Sequence, residues 1–107
     1  MAQLHELGVA QIARQIRERQ LSPVELVQAL LERIEKLEPE LNAWVYLDKD
    51  SVLSDAQEKL RQLEGNASIG PLHGVPIALK DIYFTAGIAT TACSKVYGTQ
   101  PIPASAK

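Results

Sequence analysis

The segment 21–37 (LSPVELVQALLERIEKL) constrains the fold most, because it carries a helix start signal followed by a long apolar stripe. Ser22 is suited to the N-cap, Pro23 to the first helical position, and Glu25 completes an S-x-x-E capping box. Apolar side chains then recur every three or four positions, at Val27, Leu30, Leu31, Ile34 and Leu37. The pattern predicts an amphipathic helix over 23–37 that stops before Pro39 and needs other elements to cover one face.

Two other segments have the same periodicity. The first predicts a helix over 9–19 with an apolar face of Val9, Ile12, Ala13 and Ile16. The second predicts a helix over 51–64, ended by Gly65, with an apolar face of Leu53, Ala56, Leu60 and Leu63.

Two β-branched or aromatic segments read as strands, NAWVYL over 42–47 and VPIALK over 75–80. The residues from Asp81 onward show neither helical periodicity nor strand alternation. A two-stranded sheet is marginal by itself. We therefore expect an α/β fold with about three helices and two strands, in which residues 1–107 are the N-terminal part of a single longer domain.

Composition narrows the functional class. The 107 residues have a net charge of -2 and no basic patch, so direct nucleic-acid binding is not expected. No window approaches the ~20 apolar residues that span a bilayer, and the start lacks a signal-peptide pattern. A single cysteine, Cys93, excludes an internal disulfide. These features predict a cytoplasmic protein without a membrane partner.

The segment 70–81 (GPLHGVPIALKD) contains an apolar run that ends on two charged residues, Lys80 and Asp81. The role of a charge at the end of this run has two interpretations. One interpretation is a strand that ends at the surface, where a neighbouring charged pair contributes little. In the other, Lys80 is a catalytic base. Burial of an ammonium among apolar groups disfavours its charged form, which lets such a lysine take a proton from a hydroxyl nucleophile. Residue types alone favour the surface interpretation and leave both open.

The segment GPLHGVPIALKD resembles the amidase signature family pattern G-P-L-x-G-x-P-x-x-x-K-D. TAGIATTACS is similar to the loop that follows in that family, and LSPVELVQALLERIEKLEPELNAWV resembles its N-terminal helices and first strand. The resemblance covers nearly all of this chain but only the first part of the family's domain. It implies a mixed β-sheet core surrounded by helices and makes Lys80 the catalytic base. The structural motif residues it implies are Gly70, Pro71, Gly74, Pro76, Asp81 and Gly87.

The resemblance also implies a Ser–cis-Ser–Lys mechanism for cleaving amide C–N bonds. The lysine deprotonates a serine in a cis peptide bond, and this serine relays the proton from a second, nucleophilic serine. Backbone N–H groups stabilise the oxyanion that forms on the amide carbonyl. Both serines belong to a Gly/Ser-rich segment downstream, and no serine here lies in a Gly-Gly-Ser context. We expect no amidase activity from these 107 residues alone, and no metal or other cofactor in the mechanism.

Several residues around Lys80 have two interpretations. Thr90, Thr91 and Ser94 are candidates for binding the substrate carbonyl, or they are turn-stabilising hydroxyls. His73 could touch substrate, although a surface turn residue is the favoured interpretation. Cys93 stands where the family usually has glycine, which puts the geometry of the substrate loop in question.

Three functions remain open. The leading one is an amidase that acts on a small-molecule amide and needs the remainder of its domain or a complementing chain. A second, within the family, is the A subunit of a glutamyl-tRNA(Gln)-type amidotransferase, which releases ammonia from glutamine. The third is a non-catalytic helical interaction module. Homo-oligomerisation is left open by all three.

Overall fold

The computed structural model describes residues 3–92. It contains a short 3-10 helix, Leu4–Glu6, and three α-helices, α1 (Val9–Arg17), α2 (Pro23–Leu41) and α3 (Lys49–Glu64). The chain divides into two compact units, Met1–Pro76 and Ile77–Lys107, and all of these helices belong to the first. None of the helices in the described range is long and apolar enough to cross a membrane.

The start of α2 has the predicted N-cap and proline, but the predicted capping box is not formed, because the Ser22 hydroxyl accepts from Val24 and not from Glu25. Ser22 is the N-cap, its hydroxyl accepts a hydrogen bond from the N–H of Val24 at 3.1 Å, and Pro23 occupies the first turn. The predicted start at residue 23 is confirmed. A proline has no N–H to lose at this position, where the helix leaves its N–H groups without intrahelical partners.

The end of α2 differs from the prediction, because the helix passes through Pro39 and stops at Leu41. Proline has no N–H to donate to the carbonyl four residues earlier, but the N–H of Asn42 still donates to Glu38 O at 2.9 Å, so the last turn continues beyond Pro39. Asn42 then takes a left-handed conformation, with φ 48°. The Glu38 carboxylate accepts from the next two N–H groups, those of Ala43 (2.5 Å) and Trp44 (2.8 Å). Side-chain capping therefore decides where the helix ends.

The other two helices also differ from their predicted bounds at the caps. The first ends at Arg17 instead of residue 19, because Arg19 adopts a left-handed φ of 61°. The third begins at Lys49 instead of residue 51, because the Asp48 carboxylate accepts from the N–H of Ser51 at 3.1 Å and serves as the N-cap.

The apolar stripes of the helices pack into two clusters within the first unit. Ile16 and Leu26 are 0% exposed and lie at the centre of the larger cluster, with Ile12, Leu21 and Leu63. The smaller cluster joins α2 to α3 through Val27, Leu31 and Ala56. The stripes read from the sequence thus supply the core of the helical unit, except that Val9, at the start of α1, is 56% exposed.

Arg19 links the ends of α1 and α3. Its guanidinium Nη2 donates to Leu63 O at 3.0 Å and to the Asn66 side-chain oxygen at 2.5 Å. Leu63 lies in the last turn of α3, where carbonyl groups lack intrahelical partners and the helix dipole is negative. A cationic side chain from the α1–α2 connection therefore supplies a cap for a different helix.

The predicted strands at 42–47 and 75–80 are not seen in the part of the chain that the structure describes. Residues 3–92 contain no named strand, only an isolated antiparallel bridge between Thr85 and Ile88. A strand exists only when a neighbouring segment takes up its backbone hydrogen bonds. No segment within residues 3–92 does so for either stretch, so these residues show three α-helices with irregular connections, and the sheet of the expected α/β fold is not represented among them.

Candidate functional site

The first half of the segment 70–81 forms a tight turn in the helical unit. The N–H of His73 donates to Gly70 O at 3.2 Å, and the N–H of Val75 donates to Leu72 O at 3.1 Å. Pro71 is exposed within this turn, and Pro76 is the last residue of the unit. The turn therefore satisfies its own backbone before the chain continues to Lys80.

Gly74 is required by both its backbone angle and its surroundings. Its φ is 82°, and an added Cβ would lie 2.9 Å from Pro23 Cγ and 3.3 Å from Ile16 Cγ2. By contrast, a Cβ on Gly70 would meet nothing within 4 Å. Close packing against the helical core thus explains why glycine occupies position 74.

His73 holds the same turn through its side chain. Its imidazole Nε2 lies 2.8 Å from Lys59 O in α3. The residue is half-buried, and Val75, two positions later, packs against the larger apolar cluster. The sequence predicts a turn residue at this position. It does not predict the bond to α3, because the apolar periodicity of α3 does not show which of its carbonyl groups a distant side chain will reach.

Lys80 lies in the second unit, at the start of a turn. Its carbonyl oxygen accepts from the N–H of Ile82 at 2.7 Å and of Tyr83 at 3.2 Å. The lysine residue is exposed. Chain direction therefore changes immediately after the candidate base.

Asp81 closes the loop that follows. Its carboxylate accepts from the N–H of Thr91 at 3.1 Å and from the hydroxyl of the same residue. Its carbonyl oxygen accepts from the N–H of Ala92 at 2.9 Å. The hydroxyl of Thr90 donates to Tyr83 O at 3.0 Å. Both candidate substrate-binding threonines thus donate within their own loop, while Ser94 and Cys93 lie outside the described residues.

The tip of this loop is a narrow turn around Gly87. The N–H of Ile88 donates to Thr85 O at 3.1 Å, and Gly87 has a φ of 81°. An added Cβ there would meet nothing within 4 Å, so the backbone angle alone favours glycine.

Apolar side chains on both sides of Lys80 are exposed. Ile77 is 79% exposed and Phe84 is 56% exposed, and Leu79, Ile82 and Tyr83 are similar. Within residues 3–92, no group of three His, Cys, Asp or Glu side chains could hold a metal ion. The segment thus presents one lysine in an apolar run, followed by a loop that Asp81 closes.

A family model described as Amidase matches residues 25–107. This range includes most of α2, all of α3 and the whole segment from Gly70 to Asp81. The chain belongs to the Amidase family. This confirms the resemblance that was drawn from GPLHGVPIALKD. The mixed sheet expected for the family is not represented within residues 3–92, which contain no named strand.

The relatives that resemble this chain include proteins with two kinds of name. An acylamidase of Rhodococcus erythropolis is 36% identical over 99 residues, which is 92% of this chain and 20% of the relative. The A subunit of the glutamyl-tRNA(Gln) amidotransferase of Dehalococcoides mccartyi (strain CBDB1) is 42% identical over 96 residues, 90% of this chain and 20% of the relative. The corresponding protein of Streptomyces coelicolor is 38% identical over 90% of this chain and 19% of the relative.

The chain therefore spans about a fifth of the length of these curated relatives. No solved structure is significantly similar to it.

Proposed function

We propose that the complete protein hydrolyses amide C–N bonds and that Lys80 is its general base. The observation that carries this proposal is the Amidase match, which includes Lys80 within the segment GPLHGVPIALKD. The similarity to an acylamidase, whose name states action on an acyl amide, supports the same reaction class. The 107 residues supply the base, and the two serines of the mechanism come from elsewhere in the complete protein.

In this proposal Lys80 accepts a proton and Asp81 holds the adjoining loop. A base must be positioned rigidly relative to the group it deprotonates. The Asp81 carboxylate is engaged by Thr91, and the Lys80 carbonyl oxygen is engaged by the turn at Ile82. These contacts favour an orienting role for Asp81 over a direct part in proton transfer.

The loop from Asp81 onward is proposed to line the substrate pocket through Thr90, Thr91 and Ser94. The hydroxyls of Thr90 and Thr91 donate to Tyr83 O and to the Asp81 carboxylate. To donate to a substrate carbonyl instead, these hydroxyl groups would have to break their present hydrogen bonds. A substrate contact here is therefore coupled to the conformation of the loop.

A second candidate function is the A subunit of a glutamyl-tRNA(Gln) amidotransferase. The specific observation that favours it is the 42% identity to a protein of that name, compared with 36% for the acylamidase. In this role the same lysine would serve hydrolysis of the glutamine side-chain amide, and the ammonia would pass to a partner.

The test of Lys80 is a set of three variants in the complete protein. Lys80→Ala removes the base, Lys80→Arg keeps the charge but cannot give up its proton, and Lys36→Ala removes an exposed lysine of α2 as a control. We expect both Lys80 variants to lose turnover by ~10²–10⁴-fold, with an unchanged fold by circular dichroism. The control should match the wild type. Turnover of Lys80→Ala within about threefold of the wild type would refute the assignment.

A substrate comparison separates the candidates. An amidase releases ammonia or amine from simple amides by itself. An amidotransferase component releases ammonia from glutamine, with activity that depends on its partner subunits. A complete protein that does neither, although it folds, would favour the interaction module.

A further inference from the structure

The residue that directly follows the proposed base is bound to a later part of the same loop. The Asp81 carboxylate accepts from the N–H of Thr91 at 3.1 Å and from the hydroxyl of the same residue. The Asp81 carbonyl oxygen accepts from the N–H of Ala92 at 2.9 Å. Asp81 and Thr91 are half-buried, and both belong to the second unit, which also contains Lys80. The loop is therefore closed next to the base, within the unit that carries it.

Lys80 and Asp81 share one peptide plane, so the bonds made by Asp81 also restrict the backbone of Lys80. This plane contains the Cα atoms of both residues and the Lys80 carbonyl group. The Lys80 carbonyl oxygen accepts from the N–H groups of Ile82 at 2.7 Å and Tyr83 at 3.2 Å. Because Asp81 is held as well, the Cα atom from which the lysine side chain extends has a defined position relative to the loop.

The two neighbouring threonines of this loop donate to acceptors of different strength. The hydroxyl of Thr90 donates to a neutral backbone carbonyl, Tyr83 O, at 3.0 Å. The hydroxyl of Thr91 donates to a carboxylate, and the N–H of Thr91 donates to the same group. A hydrogen bond with an ionised partner is roughly twice as strong as one between neutral groups. The Thr90 bond is therefore the easier one to exchange for a substrate carbonyl.

We propose that Thr91 is a positioning residue for Lys80: its hydroxyl holds the Asp81 carboxylate, and Asp81 in turn fixes the backbone of the base. This inference rests on the proposed function. Misplacement of a catalytic group by about 1 Å can lower the rate ~10²-fold, so a bond to the adjacent residue is close enough to affect turnover. Thr91 keeps this bond during the reaction and does not donate to the substrate. Substrate contact by a threonine hydroxyl of this loop is then left to Thr90.

The loop offers a conservative replacement and a matched control. Thr91→Val removes the hydroxyl and keeps the shape of the side chain, whereas Thr91→Ser keeps a hydroxyl that can donate to the carboxylate. Thr85 lies in the same loop, and its carbonyl oxygen accepts from the N–H of Ile88. Thr85→Val leaves that backbone bond in place and controls for the loss of a threonine hydroxyl. All variants are made in the complete protein.

The experiment measures kcat and KM with a simple amide, and hydrogen–deuterium exchange of the peptide that covers residues 81–92. For Thr91→Val we expect kcat to fall about 10-fold, KM to stay within about twofold, and the loop to exchange faster. The fall is smaller than for a full displacement of the base, because the N–H groups of Thr91 and Ala92 still bind Asp81. Thr91→Ser should recover most of kcat and of the protection, and Thr85→Val should match the wild type in both.

A double variant separates positioning of the base from a general effect on the loop. Thr91→Val is combined with Lys80→Ala, and the residual turnover is measured at high enzyme concentration. If Thr91 acts through Lys80, the second substitution should lower this turnover by less than about twofold, because the group that Thr91 positions is already absent. A further fall by the same factor as in the wild type would mean that Thr91 serves the loop and not the base.

Other outcomes would also overturn the inference. Unchanged kcat in Thr91→Val would show that the bond to Asp81 does not serve the base. Lower kcat with unchanged exchange would show that the hydroxyl acts in another way, and a KM that rises while kcat is kept would indicate substrate contact by Thr91. Failure of the proposed function has a different signature: turnover is absent in the wild type or survives in Lys80→Ala, while exchange still reports on the bond between Thr91 and Asp81.

Discussion

Two regions of this molecule carry large apolar side chains but differ in how far these side chains are buried. In the helical unit, Ile16 and Leu26 are 0% exposed, and three helices bury one another's stripes. In the segment around Lys80, Ile77 is 79% exposed and Phe84 is 56% exposed, and the backbone is held by turns and by Asp81. Burial follows from having a partner surface, which the helices of the first unit supply to each other.

The largest expected effect on stability comes from a test of this comparison that makes one substitution in each region. Leu26→Ala should lower the free energy of unfolding of the 107-residue chain by about 2–5 kcal/mol, because it opens a cavity at a fully buried site. Ile77→Ala should change it by less than about 0.5 kcal/mol, because the side chain is exposed. Urea unfolding followed by circular dichroism measures both. Equal losses would mean that Ile77 is covered in solution.

A second comparison uses two glycines with similar backbone angles. Gly74→Ala combines left-handed strain with the clash against Pro23 and should lower the free energy of unfolding by about 2–4 kcal/mol. Gly87→Ala has a φ of 81° but open space around it, so about 1 kcal/mol is expected. The same unfolding measurement applies. If the two variants lose equal stability, close packing at Gly74 is unimportant and only the angle matters.

The third prediction concerns the link between helix ends. Arg19→Ala loses the guanidinium bonds to Leu63 O and Asn66 and keeps a strained φ of 61°, so we expect a loss of about 1–2 kcal/mol. Arg19→Gly loses the same bonds but relieves the strain, so it should unfold at a higher urea concentration than Arg19→Ala. The reverse order would show that the left-handed angle carries no strain here.

The smallest expected effect lies on the exposed face of α3. The hydrogen bond from Arg61 lowers the pKa of Glu58, so any stability from this pair is present at neutral pH and is lost as pH falls through that lowered pKa. Exposure to solvent screens the pair, so Glu58→Gln should leave the melting temperature unchanged at pH 7. A clear drop at pH 7 that disappears in acid would show that the pair contributes more than its exposure suggests.

Local signals predicted the helices well and their bounds less well. Stripes such as that of α2 follow from the 3.6-residue period, and the Ser22–Pro23 start follows from the needs of the first turn. The predicted ends failed where a side chain capped the helix, as Glu38 does beyond Pro39. The two predicted strands are not seen within residues 3–92, because strand formation depends on a pairing partner and strand propensity does not supply one.

In the candidate site, too, some features were predicted from the sequence and others were not. Lys80 and the glycines and prolines around it were found from their resemblance to a family pattern, and the Amidase match covers all of them. The bond from Thr91 to Asp81 and that from His73 to Lys59 were not predicted, because no spacing rule joins residues in a loop to residues ten or fourteen positions away.

By itself, the sequence of this protein determined three amphipathic helices, the start of α2 and the residues of the amidase signature. The helices and the start of α2 depend on the order of neighbouring side chains, so spacing suffices to predict them, whereas the signature residues were identified by their resemblance to a family pattern. Only the tertiary structure decided that Gly74 must be glycine against Pro23, that Arg19 caps α3, and that His73 ties the turn to Lys59. Each of these requires two distant segments to meet, and the free energy of such a contact depends on packing geometry that no local pattern records.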